Sequence, residues 1–160
     1  MKEQNFDIEI KADGRWFHEG GEIKRMGLVK LFASVLSRDE AGDYWLKTPV
    51  EKGRIHVEDS AFVITALRCE GEGRDAKLYV TDNLETEHLL CAKTPLVMQK
   101  SPLDGEVKPY VMLDKGLSAR LLRSVFYELA EIALMQDERG SFIYSDRQAF
   151  ALSAGGDDER

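Results

Sequence analysis

The residues best suited to acid–base chemistry are His18 and Glu19, which directly precede Gly20. A histidine titrates near neutral pH, and a nearby carboxylate can orient it or raise its pKa. Neighbouring residues of a strand point to opposite faces, so the pair can act together only if the strand ends at this glycine. With Glu51 as the alternative carboxylate, these residues predict a small hydrolase or isomerase. The opposing interpretation is an interface histidine satisfied by hydrogen bonds.

A second group of side chains combines aromatic area with hydrogen-bonding groups of both charges, which is the composition of binding hot spots. The group comprises Trp16, His18, Arg25, Thr48, Glu51 and Lys52. The alternative is structural, with the tryptophan in the core and the charged residues paired or solvated. Because no catalytic spacing accompanies the group, we favour a non-enzymatic binding or regulatory protein over the hydrolase or isomerase.

The motifs do not support metal, cofactor or covalent chemistry. His18, Glu51 and His56 could converge in space, but the chain has neither an HExxH motif nor a paired cysteine motif. His56 and His88 are expected at the surface. No Gly-x-Ser-x-Gly elbow is present, and the Glu-Gly-Glu-Gly stretch at residues 70–73 is typical of a hairpin turn. We therefore predict no metal and no cofactor.

Length and charge limit the class of protein. A chain of 160 residues suits one compact domain or two small units that share an interface. Hydrophobic residues at 43% and charged residues at 32% are typical of a soluble globular protein. The net charge of −7 argues against non-specific nucleic-acid binding, which needs lysines and arginines to displace phosphate counterions.

The apolar segments and the cysteines predict a cytoplasmic protein without a membrane span. The first twenty residues lack the apolar run of a signal peptide. The longest nearly apolar stretch, residues 61–67, is too short to cross a bilayer. Cys69 and Cys91 are expected to be buried, reduced thiols.

Hydrophobic periodicity places the elements of the first third. Alternation predicts a strand over residues 6–10, and a tight turn at Asp13-Gly14 leads into a return strand over residues 15–18. A helix is predicted over about residues 25–37, and its apolar stripe comprises Leu28, Leu31, Phe32, Val35 and Leu36. An aromatic strand follows at residues 44–46, with Trp45 in the core. Further strands are predicted at 54–57, 61–67, 77–81, 87–91 and 96–98.

The same order returns near the C-terminus. A tight turn at Asp104-Gly105 precedes a strand at residues 110–113 and a helix over about residues 119–136, with Ser118 as its N-cap. An aromatic strand follows at residues 142–144. Because the two Asp-Gly turns are offset by 91 residues, we predict an internal duplication. The fold class is α+β, with two repeated strand–turn–strand–helix–strand units and mainly antiparallel sheet. The units are placed at 1–59 and 60–152, followed by an acidic tail at 153–160.

Several of these motifs resemble the bacterial DUF1285 family, whose function is unknown. The resemblance rests on Trp-x-His-Glu-Gly at 16–20, Ile-x-Arg at 23–25, Leu-Val-x-Leu-Phe at 28–32, Thr-Pro-Val-Glu-Lys at 48–52 and Val-Glu-Asp at 57–59. Pro109-Tyr110 and Arg123 match less sharply. One departure is Gly21-Glu22, where many relatives have a proline before the isoleucine, and it leaves the entry to the first helix less rigid.

The resemblance implies two structurally repeated units, the C-terminal one superficially similar to a pleckstrin-homology barrel capped by a helix. It also implies a role in signal transduction and a ligand or partner in the cleft between the units: a protein, a nucleic acid or a small effector. Carried over by motif, the residues that line this cleft would be Trp16, His18, Glu19, Arg25, Thr48, Glu51 and Lys52.

Overall fold

The computed structural model describes residues 3–153. Its first half is a six-stranded sheet with one helix, and the helix, α1, spans Met26–Ser34. The strands in chain order are β1 (Glu3–Ile10), β2 (Trp16–His18), β3 (Gly21–Glu22), β4 (Leu36–Arg38), β5 (Tyr44–Lys47) and β6 (Lys52–Val57). They lie side by side in the order β3-β2-β1-β6-β5-β4. Helix α1 therefore connects the two edge strands of this sheet.

The second half is another six-stranded sheet, followed by a helix and a hairpin. Its strands are β7 (Phe62–Glu70), β8 (Lys77–Asp82), β9 (Glu87–Leu89), β10 (Leu96–Lys100), β11 (Val107–Met112) and β12 (Ser118–Leu121). They lie in the order β10-β11-β12-β7-β8-β9. Helix α2 spans Arg123–Gln136, and the hairpin consists of β13 (Phe142–Ser145) and β14 (Gln148–Ala151). Within residues 3–153, neither helix is long and apolar enough to cross a membrane.

The two sheets share one plan. Each consists of two antiparallel three-stranded meanders, and its first and last strands pair in parallel at the centre, β1 with β6 and β7 with β12. The two Asp-Gly turns lie in the connections that follow β1 and β10. The predicted α+β class, with two repeated units and mainly antiparallel sheet, is confirmed. The helix lies between the meanders in the first unit and after both in the second.

Helix α1 is shorter than the periodicity predicts. It ends at Ser34, and Leu36, assigned to the helical stripe, lies in β4 opposite Leu46 of β5. Leu31, also assigned to the stripe, is 61% exposed, whereas Val29 is the residue that α1 buries most deeply. The prediction of a helix to residue 37 was therefore wrong. An apolar residue at this position can pack in a helix or in a strand paired with β5. The helical spacing of the sequence does not reveal the second possibility.

Helix α2 begins at Arg123 rather than near residue 119. Ser118, predicted as its N-cap, lies in β12, and Leu122 occupies the cap position with extended backbone. This segment extends into the sheet because residues 119–121 pair in parallel with β7 and residues 118–120 pair antiparallel with β11. Helix α2 buries Val125, Leu129 and Ala133, which recur at helical spacing on one face. The predicted acidic tail lies, apart from Ser153, outside the described residues.

Candidate functional site

A groove opens between the first sheet and the C-terminal half of α1, and its volume is about 470 Å³. Its apolar lining comprises Phe6, Ile8, Phe32, Val35 and Leu46. Its polar lining comprises Asn5, Asp7, His18, Glu19, Thr48 and Glu51. We call this site the α1 groove. Four of the seven residues predicted to bind a ligand therefore line a single site.

Two close contacts support the apolar floor of the α1 groove. Phe32 stacks on Trp16, with ring centroids 6.2 Å apart and planes 25° from parallel, and Trp16 is only 1% exposed. The ring of Phe6 lies on Gly53, where a Cβ atom would fall 2.1 Å from the ring. A glycine is required at this position because any side chain would displace Phe6. The shape of the floor thus depends on residues that lie behind it.

The turn between β2 and β3 brings His18 and Glu19 together. The strand ends at His18, and Glu19 and Gly20 have φ values of 51° and 84°, as in a tight hairpin turn. The N–H of Glu19 donates to the carbonyl of Asp7 at 2.9 Å. Nε2 of His18 lies 3.7 Å from Oε2 of Glu19. The two side chains are therefore close enough to interact, but they are 54% and 73% exposed.

A second turn places Thr48 and Glu51 on the same rim. The hydroxyl of Thr48 accepts the N–H groups of Val50 and Glu51 at 3.3 and 3.2 Å. The N–H of Thr48 donates to the carbonyl of Glu51 at 2.8 Å. Gln4 donates to the Glu51 carboxylate at 3.3 Å. This turn is closed by its own hydrogen bonds, so it fixes where Glu51 meets the groove.

The other three predicted binding residues lie outside the α1 groove. Trp16 is buried behind Phe32, and its indole N–H has no hydrogen-bond partner within the described part of the chain. Arg25 is exposed at the N-terminal end of α1. Lys52 lies on the opposite face of the first sheet, with Nζ 4.3 Å from the ring centroid of Trp45. Lys52 is separated from the groove because successive residues of a strand point to opposite faces. Lys52 shares the face of Trp45, whereas Leu46, which lines the groove, lies on the other face.

The α1 groove lies within the first unit, not in the cleft between the units where the resemblance places the site. All of its lining residues fall between Asn5 and Glu51. A smaller cavity of about 290 Å³ does lie at the junction, where Trp16 meets Asn83 and Leu84 of the second unit. The side chain of Asn83 crosses the junction and donates to the carbonyl of Gly14 at 3.2 Å. Of the seven predicted residues, Trp16 lines this cavity, and Arg25 and Lys52 line neither it nor the α1 groove.

A buried carboxylate also joins the two units. Asp59 accepts hydrogen bonds from Tyr110 at 2.6 Å, Arg120 at 2.8 Å and Ser101 at 3.0 Å. Arg120 donates in addition to the carbonyl of Ala12 at 2.9 Å. Burial and then the hydrogen bond to Asp59 raise the pKa of Tyr110 above its usual value. These contacts give Asp59 a structural role, since the groups around it are already paired.

Sequence reasoning missed the groove residues that β1 contributes. The register of β1 against β6 is irregular between Asn5 and Glu9. Four consecutive residues, 5–8, reach the groove there, although regular alternation would allow only every second one. The alternating pattern that predicts β1 carries no signal for such an irregularity.

Predictions for the other histidines and the cysteines have mixed outcomes. His56 is 69% exposed, as predicted. His88 is not a simple surface residue, because it is half-buried with Nε2 2.9 Å from the buried carboxylate of Asp82. Cys69, predicted to be buried, is exposed, and Cys91 is half-buried; both thiols are free. Among residues 3–153, no group of three or more His, Cys, Asp or Glu side chains could hold a metal ion.

The fold and the groove together define a class: an α+β protein of two repeated meander sheets with a ligand-sized groove in the first. Residues 1–60 match the N-terminal domain of DUF1285, described as a domain of unknown function, and residues 61–152 match its C-terminal domain, described as a protein of unknown function. The chain belongs to the DUF1285 family, so the resemblance seen in the sequence is confirmed.

Two solved structures of DUF1285 family proteins are similar to this chain. The protein from Silicibacter pomeroyi DSS-3 is 34% identical with a TM-score of 0.83, and the match covers 93% of this chain and 80% of that chain. The protein from Shewanella baltica OS155 is 28% identical with a TM-score of 0.62, and the match covers 79% of this chain and 91% of that chain. None of the curated proteins matches the chain.

Proposed function

We propose that this protein is a non-enzymatic binding or regulatory protein whose α1 groove takes a small molecule with an apolar body. The observation that supports the proposal is a groove of about 470 Å³ with an apolar floor and a polar rim. Small-molecule sites typically measure about 300–1,000 Å³ and have this distribution of apolar and polar groups. A small effector is favoured over a nucleic acid because the net charge is −7.

The position of α1 supports a regulatory role. Phe32 and Val35 line the groove, whereas other residues of the same segment contact the second unit. Lys30 pairs with Glu85 at 3.2 Å, and the carbonyl of Ser34 accepts a hydrogen bond from Lys115 at 3.0 Å. A ligand that prefers one position of α1 would shift the population of these contacts. We place this activity in signal transduction in the cytoplasm of a bacterium.

The groove can be tested by two-dimensional NMR with 4-phenylbutan-1-ol as a neutral probe. We expect saturable shifts of the backbone amides of Ile8, Phe32 and Leu46. Val35→Trp should fill the groove and abolish these shifts in a protein that still melts cooperatively. The matched control, Leu134→Trp, places the same side chain at an exposed position of α2 and should leave them unchanged. Shifts scattered over both units, or shifts that survive Val35→Trp, would contradict the proposal.

A hydrolase or isomerase is the second candidate, supported by the distance of 3.7 Å between Nε2 of His18 and Oε2 of Glu19. Glu51 lines the same groove as an alternative carboxylate. Against it, both members of the pair are mostly in solvent, whereas catalytic groups are usually tuned by burial and neighbouring charges. Turnover of p-nitrophenyl esters that His18→Gln abolishes, and that the matched control His56→Gln preserves, would favour this candidate.

A further inference from the structure

We propose that the ligand of the α1 groove carries a positive charge, as a primary amine or guanidinium attached to an apolar body. This inference rests on the function proposed above. Three of the residues that line the groove around its apolar floor carry carboxylates, namely Asp7, Glu19 and Glu51. Among the described residues that line the groove there is neither lysine nor arginine. The rim is therefore complementary to a cation.

The three carboxylates are carried by separate elements that are fixed by backbone contacts. Asp7 belongs to β1, and its carbonyl accepts the N–H of Glu19 from the β2–β3 turn. Glu51 belongs to the turn that the Thr48 hydroxyl closes. Because the backbone holds these three residues around one groove without a ligand, a cation would not have to bring them together.

The lysine nearest to this rim in sequence points elsewhere. Lys52 follows Glu51 in sequence, but its ammonium group lies over Trp45 and 3.4 Å from Glu3. The side chain that does reach the Glu51 carboxylate is Gln4, a neutral donor at 3.3 Å. The rim thus keeps its negative charge beside an apolar floor. An apolar floor alone would suit any hydrophobic ligand, and the charge is what selects among them.

Three probes with the same phenylbutyl body separate charge from shape: 4-phenylbutylamine, 4-phenylbutan-1-ol and 4-phenylbutyric acid. An exposed ion pair changes affinity by roughly two- to fivefold. With up to three carboxylates, we expect the amine to bind about tenfold more tightly than the alcohol in 20 mM salt, and the acid to bind more weakly than the alcohol. In 0.5 M salt the preference should shrink, because exposed charges are screened. Calorimetry or NMR titration measures all three.

Charge-neutralising variants then assign the preference to the rim. Glu19→Gln combined with Glu51→Gln should lower the ratio of amine affinity to alcohol affinity from about ten to nearly one. The control Glu128→Gln removes one exposed carboxylate from α2, far in sequence from the groove, and should change neither. If the double variant melts at a lower temperature, the two single variants provide the same comparison.

The outcomes distinguish this inference from the proposed function. Equal affinities for the three probes, with binding still lost in Val35→Trp, would overturn the charge preference and leave the groove as a binding site. An amine preference that survives the double variant would also overturn it. If none of the three probes binds, both proposals fail.

Discussion

The hydroxyl of Tyr110 donates a hydrogen bond of 2.6 Å to Asp59, and this contact links the two domains of the family. The Asp59 side chain has no exposed surface, and Arg120, its ionic partner at 2.8 Å, is 17% exposed. A buried carboxylate persists only where its oxygens are paired. The junction between the units is therefore held by specific polar contacts in addition to the apolar core.

Replacing Asp59 should destabilise the whole protein. Asp59→Asn leaves Arg120 without its counter-charge, and breaking such a buried pair costs about 3–5 kcal/mol. Urea unfolding measures the loss. The control is Asp104→Asn, which removes a half-exposed carboxylate paired with Lys108 at 2.9 Å and should cost less than about 1 kcal/mol. Similar losses for the two variants would show that the Asp59 contacts contribute little.

Tyr110 should make stability depend on pH in the alkaline range. Because its pKa in the folded protein is raised, its contribution is fully present below the unfolded value of about 10. As the pH rises above 10, the unfolded state loses the proton first, so the free energy of unfolding falls. Tyr110→Phe should flatten this dependence between pH 10 and 12, as measured by urea unfolding. Tyr127→Phe, at an exposed position, should retain the wild-type slope.

Trp16 and Arg25 were grouped by sequence, but their substitutions should have different effects. Trp16→Ala removes a buried aromatic side chain and should cost about 3–5 kcal/mol. Trp16→Phe should cost less, because it also removes the unpartnered indole N–H, whose burial carries a penalty of about 1–3 kcal/mol. Arg25→Ala, at an exposed position, should stay within about 0.5 kcal/mol. Thermal and urea unfolding of the three variants measures these costs. If Trp16→Ala proved neutral, Trp16 would have a surface role rather than a structural one.

Gly53 should be required for the shape of the groove. Gly53→Ala would place a Cβ atom 2.1 Å from the Phe6 ring, and overpacking of this kind costs about 1–3 kcal/mol. Because Phe6 lines the groove, the same variant should weaken binding of 4-phenylbutan-1-ol. Gly21→Ala is the matched control, since the nearest atom to its Cβ would be 3.7 Å away. Unchanged stability and unchanged probe binding in Gly53→Ala would contradict this account.

The sequence alone correctly predicts hydrophobic patterns that depend on residues close together in the chain. Ile8 and Ile10 alternate with charged residues, and both are buried in β1. Val125, Leu129 and Ala133 recur at helical spacing and are the residues that α2 buries. Such periods follow directly from backbone geometry, so one sequence is enough to show them.

Pairing between distant segments determined the features that local periodicity does not predict. The sequence assigns Leu36 to a helix and Ser118 to a helix cap, yet both lie in strands because β5 and β11 offer them paired partners. Lys52 stands next to Glu51 in the chain but belongs to the other face of the sheet. The strand partners determine which of the predicted binding residues share a groove, and the irregular register of β1 adds residues that were not predicted. Register depends on the summed packing of two complete sheets, a long-range quantity that no short stretch of sequence contains.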